Sequence, residues 1–75
     1  MTWEVHRETV RGVGKWIAIA EIWRDGRPVR RPVQSPREPS TYLVSSRSVE
    51  REKAEQELAA NIGLLIKSAK REGAI

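Results

Sequence analysis

The last third of this chain restricts its fold more than any other stretch. Ala54, Leu58, Ile62, Leu65 and Ala69 recur at steps of four, four, three and four. That spacing makes one apolar stripe on a helix and has no counterpart in a strand. Ser48 precedes the stripe as a natural N-cap, since its hydroxyl accepts from an orphan amide of the first turn. Glu50 and Glu52 suit the positive start of the helix dipole, Lys67, Lys70 and Arg71 its negative end. Gly73 supplies a stop. Together these signals predict a helix over Val49–Arg71, roughly a third of the chain. Leu64 and Ile66 widen the stripe and predict cover on more than one side of its middle.

Upstream of Ser48 the chain reads as strand and turn. Thr2–Val10 alternates, with Trp3 and Val5 in one phase and Glu4, His6 and Glu8 in the other. Arg11-Gly12-Val13-Gly14 offers glycines for a hairpin turn, Lys15–Arg24 follows as the second strand, and Asp25-Gly26 ends it. Pro28, Pro32, Pro36 and Pro39 argue against a central strand between them. Residues 25–39 therefore read as a Pro/Arg-rich loop, with Val29-Arg30-Arg31 able at most to extend the hairpin at an edge. Ser40–Ser46 completes the pattern. The expected fold is α+β, a single domain over residues 1–75. It is a three-stranded antiparallel sheet packed on one long C-terminal helix, in the order β-β-β-α.

Composition removes several classes of function. With 75 residues and no Cys, the chain has no disulfide framework and no Cys-based metal or redox site. No signal peptide or apolar run of membrane-spanning length is present, so the expected compartment is the cytoplasm. No catalytic residues are expected, because no nucleophile stands beside a base and the single His has no tuned partner. His6 between Glu4 and Glu8 lacks a fourth ligand, and a solvated strand face explains the row better than a metal site. Gly12 and Gly14 precede a strand and not a helix, so a dinucleotide loop fails. No cofactor or small-molecule substrate is indicated.

Two binding readings remain. The whole excess of four positive charges lies upstream of Val49, and five arginines fall between Arg24 and Arg37. Such density attracts DNA or RNA backbone, with Arg11, Lys15, Arg24, Arg27, Arg30, Arg31 and Arg37 as the contacts. The competing reading is that the arginine density is compositional, since the chain uses ten Arg against four Lys. The alternative is a protein interface or self-association. The second strand is apolar in both phases, and its alanine phase (Trp16, Ala18, Ala20, Ile22) suits the helix. Ile17, Ile19 and Trp23 are then left outside, as an interface or under the loop or Ala74-Ile75. Trp3 and Trp16 read as core, Trp23 as surface.

Arg11-Gly12-Val13-Gly14-Lys15-Trp16, followed by Ala20-Glu21-Ile22 and Arg24-Asp25, resembles the strand-turn-strand of the plant ethylene-response-factor DNA-binding domain. The arm-binding domains of phage and transposon integrases share that architecture. The resemblance covers some 15 of 75 residues plus the element order. It implies a sheet inserted into the DNA major groove, with Arg11, Lys15 and Glu21 at matching positions. The family's longer turn, with its further arginines and contacting Trp, is missing here, and Trp23 shifts Arg24 out of phase. Small bacterial strand-strand-strand-helix proteins of unassigned role share the same element order.

Overall fold

The computed structural model describes residues 2–32 and 40–75. It consists of β1 (Glu4–Arg11), β2 (Trp16–Arg24), a two-residue β3 (Arg27–Pro28), β4 (Leu43–Ser48) and α1 (Arg51–Arg71). An antiparallel sheet packs on one long C-terminal helix, as the periodicities predict. β2 is central: β1 lies along one side, and β4 with β3 beyond it fills the other. The register sets Val5 opposite Ile22, Thr9 opposite Ala18 and Val44 opposite Ala20. Opposed residues share a face, so these positions all turn to the helix.

Two apolar clusters join the layers. Ala18, Ala20, Ala54 and Leu58 form one; Ile22, Tyr42, Leu65 and Ala69 form the other. The alanines of β2 lack bulk, which lets the helix approach closely. Ile62 packs on the first cluster and Ile66 on the second. Leu64 is 63% exposed, so the expectation of cover on more than one side fails there. Ser46 is buried on the helix side of β4, and its hydroxyl accepts from Asn61 Nδ2 at 3.1 Å. That bond satisfies a polar group between the layers.

The helix begins later than its sequence signals suggest. Ser48 is still in the sheet, opposite Trp16, and Glu50 is the N-cap, without a side-chain bond of its own. The Ser48 hydroxyl accepts from the Glu50 amide at 3.2 Å. At the other end Gly73 adopts φ 76° as expected of a stop. The Gly73 amide donates to Lys70 and that of Ala74 to Ala69, a Schellman arrangement that satisfies two orphan carbonyls.

The segment expected to be loop from residue 25 onward is largely paired. Asp25 and Gly26 both take positive φ, 53° and 75°, the geometry of a tight I′ hairpin turn. Arg27–Pro28 then runs back along β2. The Val29 amide donates to the Ile22 carbonyl, Tyr42 donates to Val29, and Arg30 bridges Thr41. Pro28 is tolerated because its strand lies at an edge. The remainder of that predicted loop, residues 33–39, falls outside the described residues.

Candidate functional site

The sheet has two unlike faces. The helix covers one. On the other, the register aligns three rows: Glu4, His6, Glu8 and Val10 on β1; Trp23, Glu21, Ile19 and Ile17 on β2; Leu43, Ser45 and Arg47 on β4. Ile17, Ile19 and Trp23 are half-buried by these neighbours, while Val10 and Leu43 are more than a third exposed. Ala74 and Ile75, one candidate cover, pack instead against the Ile22–Tyr42 cluster on the helix side. Among the described residues nothing lies over this outer face.

One end of the outer face is held rigidly. The His6 and Trp23 rings stack with centroids 4.2 Å apart and planes 18° from parallel. His6 Nε2 lies 3.0 Å from Glu4 Oε1. Glu21 accepts from Trp23 Nε1 at 2.9 Å and from Thr41 Oγ1 at 2.6 Å. An acidic side chain in the middle of the row is thus pinned by two donors. Sequence reasoning missed Glu21 as an organiser, because Thr41 lies twenty residues away and only the sheet register brings it near.

Of the seven cations assigned to nucleic acid, the six within the described residues do not converge. Arg11 and Lys15 lie at the β1–β2 turn, whereas Arg24 and Arg27 lie at the opposite end of β2, about 26 Å away at 3.3 Å per residue. Arg24 shares the helix-side phase of Ile22, and Arg27 sits opposite it. Arg30 takes the outer side with Thr41. Arg31 is structural: its guanidinium lies 4.5 Å from the Tyr42 ring centre, its Nε donates to the Thr41 carbonyl, and its Nη1 is 3.6 Å from Glu72. Arg37 lies outside the described residues.

Cations from different elements meet at both ends of β2: Arg24 faces Arg27 at one, and the β1–β2 turn gathers a larger set at the other. The guanidinium carbons of Arg11 and Arg51 lie 5.2 and 5.3 Å from the centre of the Trp16 ring. Lys15 adjoins them in the turn, and Arg47 sits on β4 opposite Ile17. Arg51 is paired with Glu55, while Arg11, Lys15 and Arg47 have no ion pair among the described residues. The sequence did not single out Arg47 and Arg51, since only the antiparallel return of β4 brings them to that turn.

No group of three His, Cys, Asp or Glu positioned to hold a metal occurs among the described residues. No helix among them is long and apolar enough to cross a membrane. Fold and site together define a small two-layer α+β domain with one sheet face uncovered among the described residues. Compared with known proteins, the chain matches no family model, no curated protein and no solved structure. Of the expected ethylene-response-factor resemblance, the structure shows only an antiparallel sheet followed by one C-terminal helix.

Proposed function

We propose that this chain is a non-catalytic protein-interaction module whose docking surface is the outer face of the sheet. The observation that carries the reading is the apolar ridge of Ile17, Ile19 and Trp23, flanked by Val10 and Leu43 and left without a covering layer among the described residues. Apolar side chains gathered on one sheet face of a small domain favour an interface, even with Glu21 set among them. Insertion of the same face into a DNA groove, as the resemblance implies, is opposed by Glu4, Glu8 and Glu21, which would face phosphates.

The test is affinity capture from the native cell extract with the parent protein and with Ile19→Glu. The variant is expected to keep the parent's melting behaviour and lose bound protein that the parent retains. Identical captured sets would overturn the reading.

A second reading keeps a specific observation. Arg11 and Arg51 over the Trp16 ring, with Lys15 in the turn and Arg47 on the outer face at the same end of the sheet, support contact with a DNA or RNA backbone there. Its salt dependence separates it from apolar docking.

A further inference from the structure

We infer that the outer sheet face takes a second copy of this chain, packed face to face about a two-fold axis parallel to β2. This inference rests on reading that face as a docking surface, and it names the occupant. The argument is charge complementarity. One edge of the face carries Glu4 and Glu8 on β1; the other carries Arg47 on β4 and Arg30 opposite Thr41; the apolar ridge runs between them.

A two-fold parallel to β2 lays the β1 edge of each copy over the β4 edge of the other. Carboxylates then meet guanidinium groups at both rims, and the ridge meets itself, including Glu21, whose carboxylate is already held by Trp23 Nε1 and Thr41 Oγ1 within its own chain. The alternative face-to-face axis, perpendicular to the strands, stacks β1 on β1 and β4 on β4, bringing like charge against like. Aligned sheets pack about 10 Å apart, the spacing such a face-to-face pair would take.

Pairing through the free edge of β1 is less favourable. A two-fold antiparallel pairing there sets one residue against its own copy, and near the strand centre that residue is His6, Arg7 or Glu8. Directly opposed like charges destabilise a strand pair, and charged edges deter such pairing.

The face is three strands wide and eight residues long, about 14 by 26 Å from standard strand spacings. That is small for a stable interface, so association is expected to depend on concentration.

The test is sedimentation equilibrium of the full chain from about 10 µM to about 1 mM, a range suited to a small interface. The parent should approach twice the chain mass at the upper end. Ile19→Glu, Glu8→Arg and Arg47→Glu should each weaken association by about tenfold or more, the charge reversals by turning rim attraction into repulsion. The combined Glu8→Arg, Arg47→Glu chain should regain association within about threefold of the parent, since the pair is restored in reverse. Melting curves of every variant exclude loss of folding as the cause.

A parent that keeps the single-chain mass throughout, or a combined variant no better than either reversal alone, overturns the proposed arrangement. If the parent is monomeric and Ile19→Glu still loses a captured protein, self-association falls while the docking reading stands. If Ile19→Glu alters neither, both fall.

Discussion

Tyr42 is the largest fully buried side chain, and its surroundings make it a reporter of the fold. Its hydroxyl donates to Glu72 Oε1 at 3.1 Å at the helix end, and Arg31 lies over its ring. Burial, then the bond to Glu72 and that carboxylate's charge, push the hydroxyl above its ordinary value of 10.0, while Arg31 pulls the other way. A raised pKa means that the unfolded chain ionises first. The stability it supports is therefore complete below about pH 10 and is lost as pH rises through the folded value. The parent's melting temperature should fall more steeply above pH 10 than that of Tyr42→Phe. Thermal melts of both proteins from neutral to alkaline pH check this, and the chain has a single Tyr, so the tyrosinate signal is unambiguous. Equal slopes would mean that Tyr42 titrates as if in solvent. Below pH 10 the Phe variant should be less stable by about 1 kcal/mol, the net value of one hydrogen bond.

At the scale of elements, the helix was the most legible part of the sequence and also shows where periodicity stops deciding. Leu58 is 1% exposed and Leu64 is 63% exposed, although both are leucines in the middle of α1. Leu58→Ala should cost about 2–4 kcal/mol, from lost burial plus the cavity left against Ala18 and Ala20. That approaches the whole stability of so small a domain. Leu64→Lys should change stability by no more than about 0.5 kcal/mol, because the site faces solvent. Urea unfolding of the two variants tests both, and comparable losses would place the core on the wrong side of the helix. The turns at Gly14 and Asp25-Gly26 were readable because positive φ restricts residue choice, although the second reads as the end of a strand and not as a hairpin. The pairing of residues 27–31 was legible only as a possible edge extension by Val29-Arg30-Arg31, since four prolines signal interruption and the bond from Tyr42 to Val29 joins segments thirteen residues apart.

At the scale of the molecule, the fold divides what composition had grouped. Arginines clustered in sequence are spread over both faces of the sheet, and Arg31 braces Tyr42 and Glu72 instead of facing a ligand. Removing Arg31 would therefore disturb the core, which makes it a poor probe of binding. The better probe is the turn end. If nucleic acid binds there through about four cations, its affinity should fall by about a hundredfold between 50 and 200 mM salt. Replacing Arg11, Lys15 and Arg47 by Ala should flatten that slope by about three. Titration of labelled DNA and RNA measures both, and no binding to either below about 100 µM at low salt would retire the second reading.

Sequence alone determined the local choices. The helix follows from a 3.6-residue apolar period, the hairpins from residues tolerant of positive φ, and the alanine phase of β2 from its fit beneath a helix. These depend on neighbours within a few positions, where the chain's own geometry dictates which side chains share a face. Tertiary structure alone decided which charges act together. The antiparallel return of β4 brings Arg47 and Arg51 to the β1–β2 turn and Thr41 to Glu21. The physical reason is that register is a contact between distant segments, set by how the buried residues of all the strands meet one helix.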